Sequence, residues 1–190
     1  RAPITAANFL RYVDSKRMNG FQFYRATRNW GEGNQIIQAG NRGDARLNYP
    51  PIAHEPTDQT GLIHCKGALS MARLNPGSAT TDFFLLLSAI KGFDAYGEGP
   101  ATDKAGFAVF GELIEGEAVA EAIFNAPISP TEGAGVMQGQ MLAPKITIRT
   151  AKRIAAPVNP PAGCVVKPEK PPLSADSGAE LDDGDYEESL

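Results

Sequence analysis

Residues 21–40 read Phe-Gln-Phe-Tyr-Arg-Ala-Thr-Arg-Asn-Trp-Gly-Glu-Gly-Asn-Gln-Ile-Ile-Gln-Ala-Gly. Apolar and polar side chains alternate from Phe21 to Arg25, which predicts a strand. Trp30 to Asn34 carries two glycines and predicts a loop, and Gln35 to Gly40 predicts a second short strand. Two short strands around a glycine loop set the pattern for the rest of the body.

Upstream, Pro3-Ile4-Thr5 opens a helix running from Ala6 to Asp14, with Thr5 as the cap. Phe9, Leu10 and Val13 fall on one face of it, and Gly20 ends the run. Downstream, Asn41 to Thr60 is rich in turn formers and predicts a long irregular loop. Gly67 to Ala72 and Asp82 to Ser88 predict strands either side of an Asn75-Pro76-Gly77 turn. Phe107 to Glu112 predicts another strand. Glu117 to Asn125 predicts a second helix with Val119, Ala122 and Ile123 inward, and Lys145 to Ala151 a closing strand. Short strands, long loops and two helices point to a mostly-β barrel or sandwich.

The chain has 190 residues and a formal net charge of −4, which argues against nucleic acid as the main partner. The charge is unevenly placed. Residues 155–190 hold Lys167 and Lys170 against eight carboxylates, together with six of the fifteen prolines. With Tyr186 as its only aromatic residue, this segment buries too little apolar surface to order itself. It is expected to be a disordered acidic tail: a solvating segment, a remnant of cloning, or a site that recruits a basic partner. Residues 1–154 form the domain. The longest apolar run, Phe83 to Leu87, is far short of the roughly 18 residues a spanning helix needs, so no membrane insertion is expected.

Two cysteines, Cys65 and Cys164, exclude a disulfide-dense scaffold and a four-thiolate zinc site. Cys65 reads as a strand thiol near the core, and Cys164 as a tail thiol, reactive or inert. His54 and His64 lack cysteines or carboxylates at ligand spacing, so they read as hydrogen-bonded structural residues and no metal site is expected.

Five pieces in order carry a resemblance: Phe23-Tyr24-Arg25, Ile36-Ile37-Gln38-Ala39-Gly40, Gly67-Ala68-Leu69-Ser70-Met71-Ala72, Asp82-Phe83-Phe84 and Val109-Phe110-Gly111. Together with the opening Ala2 to Phe9 they resemble the cyclophilins, which are peptidyl-prolyl cis-trans isomerases. Pro51 to Glu55 and Gly61 to His64 resemble a bacterial branch. The resemblance spans Arg1 to about Ile154. It implies an antiparallel eight-stranded β-barrel capped by two helices, with no cofactor. Family members begin with two further strands before the first helix, so a longer precursor is expected, since bare barrel edges are an aggregation hazard.

The resemblance implies a catalytic pair, Arg25 and Gln38, and a substrate-binding set of Ile36, Met71, Ala72, Arg73, Asp82, Phe84, Phe93 and Phe107. Phe84 would floor the proline pocket while Phe83 points into the core, because neighbouring strand residues face opposite sides. Departures from the family pattern are Gln35 and Ile36 in place of phenylalanine and methionine, Arg73 for asparagine and Asp82 for glutamine. Phe107 stands where histidine is common, and the loop from Phe93 to Ala105 lacks a tryptophan that Phe93 or Tyr96 would replace. These departures motivate an alternative, a proline-peptide binding or chaperone module with low turnover. The expected partners are proline-containing peptides and unfolded protein chains, met by a monomer. Arg1-Ala2-Pro3 shows no targeting signal, and the expected location is the periplasm, otherwise the cytoplasm.

Overall fold

A computed structural model describes residues 1–27, 33–41, 44–155 and 163–165. Trp30 with most of its loop, and the tail apart from 163–165, lie outside the described residues. The elements are α1 (Pro3–Asp14), β1 (Gln22–Ala26), β2 (Ile36–Gly40), α2 (Thr57–Thr60), β3 (Ala68–Met71), β4 (Phe83–Leu86), β5 (Ala108–Glu112), α3 (Glu117–Phe124), β6 (Ile128–Ser129) and β7 (Met141–Thr147). The strands form one antiparallel sheet in the order β5-β3-β4-β2-β1-β7-β6. The fold is mostly β, as the sequence predicts, but among the described residues hydrogen bonds do not close the sheet into a barrel: β5 and β6 are its ends.

Helix α1 starts at Pro3, whose fixed φ suits the first helical position. Thr5 lies inside the helix and is not its cap. The Glu55 carboxylate takes that role from across the fold, accepting Ile4 N–H at 3.2 Å, Thr5 N–H at 2.8 Å and the Thr5 hydroxyl at 2.6 Å. An anion at a helix N-terminus also complements the helix dipole. The buried face of α1 presents Tyr12 and Val13 to Phe21, Ala39, Met71 and Phe83.

Helix α3 packs through Ala120, Ile123 and Phe124 against Ile37 and Leu85. Val119 and Ala122, predicted inward, are exposed instead. The stripe that spacing of three and four residues puts on one face runs through Ala120, and Val119 and Ala122 fall outside it. The long loop after Asn41 contains more order than expected: a 3-10 turn at Ala45–Leu47, a β-bridge between Ile52 and Ala79, and the single turn α2. Strand β7 begins four residues before the expected start, because Met141 already pairs with Arg25 of β1.

The two cysteines correct the sequence reading. Cys65 and Cys164 form a disulfide across a separation of 99 residues, with Cα atoms 5.6 Å apart, within the usual range. Neither is a free thiol. Cys164 is buried in the same core cluster as Phe84 and Phe93, its carbonyl accepts Ile63 N–H at 2.8 Å, and Val165 bridges to Leu62. Among the described residues no helix is long and apolar enough to cross a membrane.

Candidate active site

One cross-strand row builds the site. Arg25 of β1 pairs with Gln38 of β2, Gln38 with Phe84 of β4, and Phe84 with Ser70 of β3. Residues directly opposite one another in a sheet project from the same face, so the row brings Arg25, Gln38 and Phe84 together. Ile36 and Ala72 join them by the two-residue period. The register of β1 slips between Phe23 and Arg25, a bulge of the kind that re-aims a side chain.

A cavity of about 280 Å³ opens beside this row, and its lining includes Arg25, Ile36, Gln38, Ala72, Arg73 and Phe84. Phe93 and Phe107 complete the apolar floor from the loop after β4. Phe84 meets Phe93 edge-on at 5.4 Å and Phe107 edge-on at 5.3 Å between ring centroids, and Phe93 and Phe107 are 5.1 Å apart. Such edge contacts add to the stabilisation from area burial and fix the rings relative to one another.

Met71 and Asp82 are not brought to the cavity. Met71 is one residue from Ala72 and so faces the other side of the sheet, in the core with Phe83. Asp82 turns back to accept the Tyr24 hydroxyl at 2.7 Å and the Thr81 hydroxyl at 2.9 Å. This return needs Gly40, where an added Cβ would lie 1.8 Å from Asp82 Oδ1. Phe93 rather than Tyr96 enters the cavity: Phe93 is buried and Tyr96 is exposed. Gln35 is also exposed and does not line it.

The Arg25 guanidinium is buried and held by two amides. Its Nη1 donates to Gln38 Oε1 at 2.9 Å and its Nε to Gln140 Oε1 at 2.9 Å. Burial pushes the Arg25 pKa down from its usual value, yet a guanidinium keeps its proton in proteins. Both of these partners are uncharged, so neither cancels its charge. Gln140 was not foreseen from the sequence. It immediately precedes β7 and lies 115 residues from Arg25, and no motif connects the two.

Arg73 is occupied. It forms a two-pronged pair with Asp103, Nη1 to Oδ2 at 2.6 Å and Nη2 to Oδ1 at 2.8 Å. Its Nε also donates to the Gly106 carbonyl at 2.9 Å. These bonds pin the loop wall beside Phe107. The Arg73 guanidinium holds the Asp103 carboxyl well below the usual range, at about 2.

Behind the floor lies a buried polar chain. His64 Nδ1 is 2.7 Å from Asp94 Oδ1, and His64 Nε2 is 2.9 Å from Ser70 Oγ. The carboxylate only accepts, so Nδ1 carries the proton and Nε2 accepts from Ser70. Burial lowers the His64 pKa, more strongly than the bond to Asp94 raises it. The order Asp-His-Ser suggests nucleophilic catalysis, but Ser70 is fully buried and the Phe84 ring stacks on His64 at 6.2 Å. The chain therefore supports the floor instead of reaching substrate. His54 hydrogen-bonds the Ala105 carbonyl at 3.1 Å. Glu112 lies beside Cys65 and Cys164, whose sulfurs are bonded to each other and offer no thiolate to a metal.

Residues 1–152 match the model of the family described as cyclophilin type peptidyl-prolyl cis-trans isomerase/CLD. A peptidyl-prolyl cis-trans isomerase of Acinetobacter baylyi is 37% identical over 133 residues, covering 68% of this chain and 64% of the relative. The chain thus spans a little under two thirds of that relative's length. Peptidyl-prolyl cis-trans isomerase A of Dickeya dadantii is 30% identical over 157 residues, covering 81% of this chain and 75% of the relative. Among solved structures, the Cryptosporidium parvum cyclophilin type isomerase superposes with a TM-score of 0.62 at 20% identity, covering 82% of this chain and 86% of that one. The same protein crystallised in the presence of the dipeptide Ala-Pro gives 0.59 at 20% identity over 78% and 84%. These two likenesses speak for the fold, and the family match with the bacterial relatives speaks for kinship: the chain belongs to the cyclophilin-type peptidyl-prolyl cis-trans isomerase family.

Proposed function

We propose that this chain, as a monomer, accelerates cis-trans rotation of X–Pro bonds in proline-containing peptides and unfolded proteins. The observation that carries the reading is the juxtaposition of a buried, amide-held Arg25 with the phenylalanine floor in one cavity. The Ala-Pro dipeptide named with the Cryptosporidium structure supports the same class of ligand.

The barrier to peptide rotation is about 18–20 kcal/mol because the amide is partly double-bonded. Twisting the bond breaks conjugation and localises a lone pair on the prolyl nitrogen. No covalent bond forms or breaks, so catalysis consists of binding the twisted form more tightly than either planar form. A 10⁵-fold acceleration requires roughly 7 kcal/mol of such preference. The apolar floor of Phe84, Phe93 and Phe107 seats the proline ring. Arg25 aims a fixed cation at the prolyl nitrogen as its lone pair develops, and its two amide partners hold it in place so that little reorganisation is needed. Gln38 both orients Arg25 and offers its amide N–H to a substrate carbonyl.

The Cys65–Cys164 disulfide supports an oxidising compartment, the periplasm, as the place of work. Cell fractionation tests that part of the reading, with recovery in the reduced form from the cytoplasm as the contrary result. A protease-coupled assay on a proline tetrapeptide tests the activity. Wild-type protein is expected to raise the isomerisation rate in proportion to its concentration, and an unchanged rate would remove the proposal.

A further inference from the structure

The cavity continues outward into a rim that seating a proline ring does not use. Three residues of its lining present large apolar side chains to solvent: Leu74 at 89%, Val136 at 74% and Met137 at 39% exposure. Leu74 stands on the wall that begins with Ala72 and Arg73. Val136 and Met137 stand on another, in the 3-10 turn Gly135–Met137. Single exposed apolar residues are ordinary on any protein. Three of them line the mouth of one cavity, and exposed apolar surface grouped in this way marks interaction sites.

Both walls are fixed in place. The Val136 carbonyl accepts Gln140 Nε2–H at 2.7 Å, and the same Gln140 accepts Arg25 Nε–H. One buried amide therefore sets the position of the turn and of the guanidinium together. On the other wall, the Leu74 N–H donates to Ser78 Oγ at 3.1 Å and the Leu74 carbonyl accepts Arg73 Nη1–H at 3.3 Å. The charged groups of the lining do not favour a charged neighbour, since Arg73 and Asp103 neutralise each other and Arg25 is buried between amides.

We infer that this rim is a subsite for an apolar side chain flanking the proline. Preferred substrates are then segments with leucine, isoleucine, valine, phenylalanine or methionine beside the proline, which folded proteins bury and unfolded chains expose. The inference rests on the isomerase reading and narrows its substrate class. The rim is continuous with the proline cavity, so one extended chain reaches both.

The test uses proline tetrapeptides that carry leucine, glycine or glutamate before the proline in one series and after it in another. NMR exchange spectroscopy follows them without a coupling protease. Wild-type protein is expected to favour leucine over glycine by about tenfold in kcat/KM in at least one series, mainly through KM. The combined variant Leu74→Ser, Val136→Ser, Met137→Ser is expected to bring that ratio to within about twofold. Leu74→Ser and Val136→Ser alone lower it partway, and they guard against misfolding of the triple variant, which circular dichroism checks. Clear acceleration with equal rates for all three residues in wild type, or a ratio unchanged in folded variants, would overturn the inference and leave the isomerase reading standing. Acceleration of no peptide would overturn that reading and the rim with it.

Discussion

Arg25 and Gln140 are separated by 115 residues, yet Arg25 Nε donates to Gln140 Oε1 at 2.9 Å, and both side chains are buried. The contact follows from pairing of β1 with β7, in which Arg25 stands opposite Met141, the next residue after Gln140. Gln140 is thus a positioning residue for the cation. Replacing it by methionine keeps the volume and removes both hydrogen bonds. Loss of a bond to a charged group is worth about 1.5–3 kcal/mol. Gln140→Met is expected to lower kcat about tenfold or more, with a smaller change in KM, in steady-state peptide assays. A loss confined to thermal stability would assign Gln140 a structural role only.

The Arg73–Asp103 pair gives a prediction at acid pH. The Asp103 carboxyl is held at about 2 against an ordinary 3.8. Because the folded value is depressed, its contribution to stability is present above pH 3.8 and is lost as pH falls towards 2. Asp103→Asn is expected to flatten denaturation midpoints over that window and, by freeing the loop wall, to raise KM severalfold at neutral pH. Chemical denaturation between pH 2 and 4 is the check, and a pH response identical to wild type is the contrary result.

His64 acts in the neighbouring pH range with its own sign. Its folded pKa lies below the usual 6.5, so the unfolded chain takes up a proton that the folded protein resists. Stability is full above about pH 6.5 and declines as pH falls below it. Protonation would also force a donor towards Ser70 behind the Phe84 ring. His64→Asn, which keeps an N–H for Asp94 and does not titrate, is expected to reduce the slope of unfolding free energy against pH between 6.5 and 5. Denaturant titrations at several pH values measure that slope.

The Cys65–Cys164 link joins residues 99 apart in sequence and holds the buried Cys164 against the cluster containing Phe84 and Phe93. A loop of about 100 residues corresponds to about 4–5 kcal/mol of stabilisation in the chain-entropy model. The paired variant Cys65→Ser, Cys164→Ser is expected to lose several kcal/mol by that reckoning, read as a shift of the urea midpoint under non-reducing conditions. An unshifted midpoint would show that the link contributes nothing to stability.

The fold was legible where pattern and period coincide. Alternation gave β1, and the opposite facing of neighbours gave Phe83 to the core and Phe84 to the cavity. The same rule, applied to Ala72 and Met71, separates them, and it explains why Met71 is in the core although the family resemblance groups it with the site. Asp82 has the parity to reach the cavity, and the hydroxyls of Tyr24 and Thr81 draw it away. Partners distant in sequence left no local trace. The Glu55 cap on α1, the Gln140 contact with Arg25 and the Asp103 contact with Arg73 each span 30 residues or more. The disulfide was hidden for the same reason, because Cys164 sits in a segment whose composition reads as tail.

The proposed function rests on a buried, oriented Arg25 stabilising the twisted amide above the phenylalanine floor. The most direct measurement is NMR exchange spectroscopy on a proline peptide with wild-type protein and Arg25→Lys, the amide spectrum of each confirming the fold. Lysine keeps the charge and loses the planar fork that Gln38 and Gln140 grip. Catalysed exchange is expected in wild type and a fall of about 100-fold or more in the variant, with peptide still bound at the floor. Turnover by the folded variant within about twofold of wild type would contradict this role of Arg25.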